Sequence, residues 1–203
     1  TSTSSAVSTP IITDKRLRKL SFTGSTSVGQ SLMKLAADNV LRTSMELGGN
    51  APFLVFEDAD LDKAVDGALA AKFRNIGQAC TAANRFIVHE SIADEFASRV
   101  TERVKAMKIG RGTEDGITIG PLIDDKAVTK ANELVKDALS KGATLTTGGN
   151  IIEGDGSFYE PTVITGVTPG SDILTEEIFG PVLSITTFSD EEEGIRIAND
   201  TEY

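Results

Sequence analysis

Cysteine and long apolar runs are both scarce in this sequence. One cysteine among 203 residues excludes an internal disulfide bond. No apolar run approaches the roughly 18 residues that a membrane-spanning helix needs. We therefore expect a protein of the reducing cytoplasm that has no membrane partner.

Positive charge is in short supply as well. The chain has 20 Lys and Arg against 30 Asp and Glu, which gives a formal net charge of -10. This balance repels the phosphates of nucleic acids and of anionic lipids, so we expect neither as a partner. The composition that remains, 39% hydrophobic and 25% charged, is typical of a globular protein with a packed core.

The sequence has a single histidine, which argues against a hydrolase built on a Cys–His pair. His89 ends a strand-like run, Phe86–His89, just before a predicted helix start. The end of a surface strand explains this position better than a role beside the cysteine.

Strand-like and helix-like segments alternate along the chain. Predicted strands lie at residues 18–22, 51–56, 85–89, 145–147, 159–164 and 182–188, and predicted helices at 28–41, 61–73, 91–107, 124–142 and from 190 onward. Asp60 and Asp124 are predicted N-caps, and Ser91–Asp94 is a predicted capping box. Such alternation predicts an α/β fold whose mainly parallel sheet is covered on both faces.

Two residues are candidates for chemistry. Cys80 lies in a predicted loop, residues 75–81, of small and polar residues, where a thiolate would be the strongest nucleophile among the side chains; an isolated cysteine is otherwise a small core residue. Glu46 stands between apolar residues and two glycines, which allow close approach of a ligand. It is a candidate general base, or a hydrogen-bonded carboxylate at a strand entry.

A glycine turn, Gly24–Gly29, lies between the first predicted strand and helix. Free N–H groups at such a helix start can bind a phosphate, but most turns of this kind only connect two elements. It is neither a Walker loop, which requires Lys-Ser/Thr where Gln30 and Ser31 stand, nor a G-x-G-x-x-G fingerprint.

Five ordered motifs together resemble the NAD(P)-dependent aldehyde dehydrogenase superfamily along essentially the whole chain. They are Phe22–Thr26 (FTGST), Met45–Asn50 (MELGGN), Phe73–Arg85 (FRNIGQACTAANR), Gly120–Leu122 (GPL) and Glu176–Val182 (EEIFGPV). The Glu-Leu-Gly-Gly and Gly-Gln-x-Cys pairs are highly specific to this family. The resemblance implies a doubly wound, mainly parallel α/β fold.

The resemblance also implies a mechanism. Cys80 would attack the aldehyde carbonyl, and the thiohemiacetal would lose a hydride to the nicotinamide and become a thioester. Glu46 would then activate the water that hydrolyses it. The cofactor is NAD or NADP, no metal is expected, and the resemblance assigns cofactor contacts to Gly24, Ser25, Val28, Leu47, Glu177 and Phe179.

Whole members of the family are longer, so the resemblance implies an interior piece that is weak or inactive alone. Residues 1–46 would be the last part of a Rossmann-type cofactor domain, and 47–203 most of the catalytic domain. We expect the parent chain to form a homo-oligomer, a dimer or a tetramer.

Arg74 resembles the arginine that binds the substrate carboxylate in the succinate-semialdehyde dehydrogenase branch. A guanidinium group pairs bidentately with a carboxylate, although a surface arginine at a helix C-terminus would also suit the dipole. We expect succinate semialdehyde as the substrate. Glutarate semialdehyde, another aldehyde, and a catalytically inert fragment are the alternatives.

Overall fold

The computed structural model describes residues 4–203 and divides the chain into two compact units, Thr1–Gly49 and Asn50–Tyr203. The polar opening that we predicted from the first ten residues falls partly on residues 1–3, which lie outside the described residues. No helix among the described residues has both the length and the apolar composition to cross a membrane.

The first unit is a strand–helix–strand arrangement preceded by a helix. Its elements are α1 (Ser4–Ile12), β1 (Lys19–Thr23), α2 (Thr26–Ala37) and β2 (Arg42–Glu46). The two strands are parallel, in a register that pairs Lys19 with Arg42 and Thr23 with Glu46. Ala36 of α2 and Ile12 of α1 are buried. Neither α1 nor β2 was predicted.

The second unit is built on a five-stranded sheet. Its strands are β3 (Ala51–Val55), β4 (Ala83–His89), β5 (Thr144–Thr147), β6 (Ile151–Ile152), β7 (Phe158–Tyr159), β8 (Thr162–Thr165) and β9 (Val182–Phe188). The order β3-β4-β9-β8-β5 is parallel except for β5, which pairs antiparallel with β8. The mainly parallel sheet is therefore confirmed. β6 and β7 form a separate antiparallel pair.

The helices of the second unit are α3 (Leu61–Phe73), α4 (Glu90–Lys105), α5 (Asp125–Ser140) and α6 (Glu191–Asn199), with a short 3₁₀ helix at Asp172–Leu174. Adjacent strand residues point to opposite faces of a sheet. On β8, Val163 joins the core cluster packed by α3 and α4, whereas Ile164 joins the one packed by α5. Both faces of the sheet are covered, as predicted.

Asp60 and Asp124 are N-caps, as predicted, and their side chains accept hydrogen bonds from the backbone N–H of Lys63 and Ala127. The capping box at Ser91–Asp94 is wrong. α4 begins one residue earlier, and His89 caps it by accepting a hydrogen bond from the Ser91 N–H.

The predicted strand 159–164 is also wrong as one element. It is interrupted at Glu160 and Pro161, so Tyr159 belongs to β7 and residues from Thr162 onward belong to β8. Proline has no N–H to donate to a ladder, which explains the break.

Arg85 fixes α6 to the sheet. Its guanidinium donates to the backbone carbonyls of Ile197 at 2.9 Å and of Ala198 at 2.9 Å, at the end of α6. Its Nε donates to the Asn50 carbonyl at 3.0 Å, next to the start of β3. Burial lowers the pKa of Arg85, and Asp200 opposes that fall. The last turn of α6 is thereby held by one buried side chain.

Candidate active site

Cys80 lies in an exposed position in the loop between α3 and β4. The interpretation of Cys80 as a small core residue is therefore wrong. The loop is a series of tight turns, in which the Ile76 N–H donates to the Phe73 carbonyl at 2.9 Å and the Gln78 N–H to the Asn75 carbonyl at 2.8 Å. The predicted loop at 75–81 is confirmed, and it presents its thiol to solvent.

Side chains brace this loop from within and from outside. The Asn75 amide donates to the Gln78 carbonyl at 2.7 Å. The Gln78 side-chain oxygen accepts a hydrogen bond from the Ile123 N–H at 2.9 Å, directly after the Gly120–Leu122 motif. The thiol loop and that motif, 40 residues apart in the chain, are thus one structural feature.

A second segment packs against the loop. Gly77 has a φ of +75°, and a Cβ built on it would lie well inside 3.0 Å of the Gly180 carbonyl oxygen. Gly180 closes the segment that carries Glu177 and Phe179. Glu177 is half-buried, whereas the Phe179 ring is 43% exposed. The structure therefore brings the thiol loop and the Glu177–Gly180 segment together.

Both segments lie at the amino edge of the sheet. The thiol loop runs into β4 and the Glu177–Gly180 segment into β9, which are parallel neighbours in a register that pairs Arg85 with Ser184. Ligands in open α/β sheets usually bind outside the carboxyl ends of the strands. This candidate site is on the opposite edge.

His89 cannot serve as a partner for Cys80. It ends β4, whose other end follows the thiol loop, and a seven-residue strand is about 20 Å long. The imidazole pairs with the Ser91 hydroxyl at 2.8 Å and with the Ser189 carbonyl at 3.1 Å. The interpretation of His89 as a structural strand end is confirmed.

Arg74 directly follows α3 and is exposed. It lines a cavity of about 370 Å³ together with Asn75, Gly77, Ala79 and Thr81. Ala79 and Thr81 flank Cys80 in the sequence, so the cavity adjoins the thiol loop. A fixed positive charge at the wall of this cavity suits an anionic group on a small molecule.

Sequence reasoning missed one residue of this region, Lys72. Its side chain is 1% exposed, and burial lowers its pKa to about 7, against the opposing effect of the Glu177 charge. Lys72 continues the buried stripe of Val65, Ala68 and Leu69 on α3. The helical period of that stripe was the pattern that could have placed Lys72 inside.

The first unit gathers other candidate residues at the carboxyl ends of its strands. Glu46 ends β2, and its carbonyl accepts a hydrogen bond from the Gly24 N–H at 3.0 Å. Ser25 caps α2 in an extended conformation without a side-chain cap bond. The first N–H groups of a helix have no intrahelical partner, so this edge can hold an anion. Glu46, Gly24 and Ser25 are all exposed.

Two apolar residues complete this set in the first unit. Val28, in the first turn of α2, is 47% exposed. Leu47 packs on α2, because a Cβ built on Gly29 would lie 2.5 Å from its Cδ2 atom. An exposed valine beside an anion-binding helix start suits a flat ring that carries a phosphate group.

Comparisons with known proteins agree with these motifs. The sequence profile of the aldehyde dehydrogenase family matches residues 1–203. A succinate-semialdehyde dehydrogenase of Paenarthrobacter nicotinovorans is 54% identical over 202 residues, which cover 100% of this chain and 45% of that protein. Succinate-semialdehyde dehydrogenase [NADP(+)] of Escherichia coli K12 is 48% identical over 203 residues, covering 100% of this chain and 42% of that protein.

A solved structure has the same backbone. The crystal structure of succinate-semialdehyde dehydrogenase from Burkholderia pseudomallei matches with a TM-score of 0.97 and 51% identity, over 100% of this chain and 42% of that chain. The chain thus spans less than half the length of these relatives.

Proposed function

The chain belongs to the aldehyde dehydrogenase family, and from this premise we propose that it carries the thiol and most cofactor contacts of an NAD(P)-dependent succinate-semialdehyde dehydrogenase. One observation supports this above the others. Cys80 is exposed in a loop that is braced by Gln78 and packed against Gly180, beside a cavity with Arg74 on its wall. A reactive thiol requires this combination of exposure and fixed position.

Cys80 is the proposed nucleophile. Its thiolate forms a bond to the aldehyde carbon, which gives a thiohemiacetal; loss of hydride from that carbon leaves a thioester on the sulfur. The bound nicotinamide supplies the acceptor for this hydride. Glu46 removes a proton from the water that attacks the thioester, and the products are the carboxylic acid and the free thiolate.

The proposed cofactor contacts are divided between the two units. In the first unit, Gly24 and Ser25 at the start of α2 suit the pyrophosphate, Val28 suits the adenine, and Leu47 suits the nicotinamide. In the second unit, the Glu177 carboxylate suits the hydroxyls of the nicotinamide ribose, and the exposed Phe179 ring suits the nicotinamide. The E. coli relative is named for NADP(+), and we propose NAD or NADP for this chain.

Arg74 is the proposed residue for substrate recognition. Its guanidinium pairs with the substrate carboxylate, while the aldehyde at the other end of the short chain reaches Cys80. The cavity beside the thiol loop is large enough for a four-carbon semialdehyde, since the smallest ligand pockets are about 300 Å³. Glutarate semialdehyde, longer by one methylene, is the alternative substrate.

Turnover assays on the complete protein that carries this sequence test the proposal. Succinate semialdehyde, glutarate semialdehyde and propanal are compared in the wild type and in Cys80→Ser, with NAD and with NADP. We expect kcat/KM to be highest for succinate semialdehyde, and Cys80→Ser to lose turnover. Turnover that survives in Cys80→Ser would contradict the mechanism, and equal kcat/KM on propanal would contradict the substrate.

The 203-residue chain alone is proposed to be weak or inactive in turnover, because it spans 45% or less of these relatives. Residues 1–46 are proposed as cofactor-domain sequence and 47–203 as catalytic-domain sequence. An inert fragment would bind no NADH, so fluorescence titration of the isolated chain distinguishes it from one that keeps its cofactor contacts. Robust turnover by the isolated chain would contradict the proposal.

The proposed mechanism needs Cys80 as a free thiol, which a reducing compartment maintains. We therefore propose that the complete protein works in the cytoplasm, and that it is a homodimer or homotetramer. Light scattering on the purified complete protein measures the mass directly, and a monomer at micromolar concentration would contradict this part of the proposal.

A further inference from the structure

Lys72 connects two segments of the second unit from a buried position. Its Nζ donates a hydrogen bond to the Asn84 side-chain oxygen at 3.0 Å and another to the Ile178 backbone carbonyl at 3.1 Å. Asn84 lies near the start of β4, just after the thiol loop, and Ile178 lies between Glu177 and Phe179. One ammonium group thus holds residues on both sides of the candidate site.

Lys72 also lies under the thiol loop itself. A Cβ built on Gly77 would lie 3.2 Å from the Lys72 Cε atom, so the lysine stem passes directly beneath the turn that precedes Cys80. Lys72 shares the wall of the cavity with Arg74 as well. The same side chain therefore contacts the loop, the strand that follows it and the Glu177–Phe179 segment.

An apolar side chain would satisfy packing at this position at lower cost. Burial of an ammonium group costs several kcal/mol even after relaxation, and replacing buried ions by well-packed apolar residues is often neutral or stabilising. The preceding members of the same stripe, Val65, Ala68 and Leu69, are apolar. The charge on Lys72 is opposed by burial and favoured by the nearby Glu177 carboxylate. This pattern indicates a role beyond filling space.

We infer that Lys72 is a positioning residue, which holds the Glu177–Phe179 segment in register with the Cys80 loop through the Ile178 carbonyl and Asn84. This inference rests on the proposed function, which assigns cofactor contacts to Glu177 and Phe179. Lys72 touches neither the thiol nor the reacting carbon in this arrangement. It determines where the cofactor-contacting segment stands relative to the nucleophile.

The test compares Lys72→Met, which keeps the length of the side chain but has neither charge nor donor, with the wild type in the complete protein. Lys63→Met is the matched control, because Lys63 lies on the same helix, is exposed and pairs with Asp60. NADH affinity is measured by fluorescence without aldehyde. The alkylation rate of Cys80 by iodoacetamide is measured with and without NAD(P)+.

We expect Lys72→Met to weaken NADH binding about tenfold or more and to reduce the effect of cofactor on Cys80 alkylation. In turnover, KM for the cofactor rises while KM for the aldehyde stays within about twofold. Lys63→Met should behave as the wild type. A folded Lys72→Met protein with wild-type NADH affinity and wild-type alkylation rates would overturn the inference.

Thermal unfolding decides whether Lys72→Met is folded. If it is not, Lys72→Gln, which keeps a donor without the charge, and Lys72→Arg replace it. Wild-type NADH affinity in either folded variant, together with unchanged alkylation, overturns the inference. Because affinity is measured without aldehyde, a wrong substrate assignment leaves the test intact. A wild-type protein that binds no nicotinamide nucleotide contradicts the proposed function instead.

Discussion

The α-carbon of Gly77 faces the Gly180 carbonyl oxygen so closely that no other residue fits at position 77 without a shift of the backbone. Gly77 belongs to the turn before Cys80, and Gly180 closes the segment that carries Glu177 and Phe179. The thiol loop and that segment are consequently in direct backbone contact. This contact makes the loop a fixed platform for its exposed thiol.

Gly77→Ala should destabilise the protein and disturb the thiol loop. The new methyl group would collide with the Gly180 carbonyl, and φ of +75° is already unfavourable for alanine by about 1–2 kcal/mol. Gly142→Ala is the matched control, since Gly142 has φ of +100° and open space around its Cβ position. We expect Gly77→Ala to lower the free energy of unfolding by about 2 kcal/mol more than Gly142→Ala, measured by urea denaturation. Equal losses in the two variants would show that the contact adds nothing to backbone strain.

Elements that carry their own local determinants were predictable from sequence. α3 and α5 were predicted with their N-caps because an Asp side chain before an apolar period satisfies the first N–H groups of a helix. β9 was predicted at Val182–Phe188, which is how the structure has it, because a continuous apolar run marks a buried strand. In these elements the local sequence and the tertiary structure favour the same conformation.

β2 was missed because its sequence carries no such pattern. Arg42–Glu46 pairs with β1 on one side only, and four of its five residues are exposed, so no apolar alternation is needed. The start of α4 was misplaced for a related reason. The cap there is an imidazole, His89, outside the usual Ser, Thr, Asp and Asn set.

The candidate site could be predicted only in part. Composition and spacing left Cys80 undecided between core and nucleophile, and the family motifs resolved it toward an exposed position that the structure bears out. Lys72 could not be identified as a bridging residue, because its two partners, Asn84 and Ile178, lie 12 and 106 residues away in the chain. Long-range hydrogen bonds of a single side chain leave no periodic trace in a sequence.

Arg74→Ala should separate charged from uncharged aldehydes in the complete protein. Loss of a charge-assisted hydrogen-bonded pair costs about 1.5–3 kcal/mol, so KM for succinate semialdehyde should rise by about 10- to 100-fold. Kinetics with propanal should change by less than about twofold. Arg103→Ala is the control, because Arg103 is an exposed arginine on α4 that pairs with Asp66. Parallel losses on succinate semialdehyde and propanal would point to a structural role for Arg74.

Glu46→Gln should arrest the reaction after the first chemical step. The amide cannot take a proton from water, so the thioester on Cys80 should persist and steady-state kcat should fall by about 10²- to 10⁴-fold. A burst of NAD(P)H close to one equivalent per site should remain in stopped-flow traces, and the acyl group should be visible on the Cys80 peptide by mass spectrometry. Glu153→Gln, at an exposed glutamate, serves as the control. Loss of the burst together with kcat would place Glu46 before thioester formation and contradict its assignment.

Lys72 should make the stability of the protein depend on pH around neutrality. Burial lowers its pKa in the folded protein from the ordinary value of 10.5 to about 7. Between these two values the unfolded chain binds more protons than the folded protein, so the free energy of unfolding rises with pH. The slope approaches about 1.4 kcal/mol per pH unit, and below pH 7 the cost of burying the charged amine is fully present. Urea denaturation of the wild type should therefore show a gain of roughly 2 kcal/mol between pH 7 and pH 9.

The Lys72→Met protein lacks the titrating group, so the difference in unfolding free energy between it and the wild type should shrink or change sign as pH rises. Groups that titrate in both proteins cancel in this difference, and Lys63→Met should follow the wild type throughout because its amine is exposed. A constant difference between wild type and Lys72→Met from pH 6 to pH 9 would mean that the ammonium remains charged across this range. The Glu177 carboxylate would then compensate the burial of Lys72 in full, and the bridge to Ile178 would be a permanent ion-assisted contact with no dependence on pH.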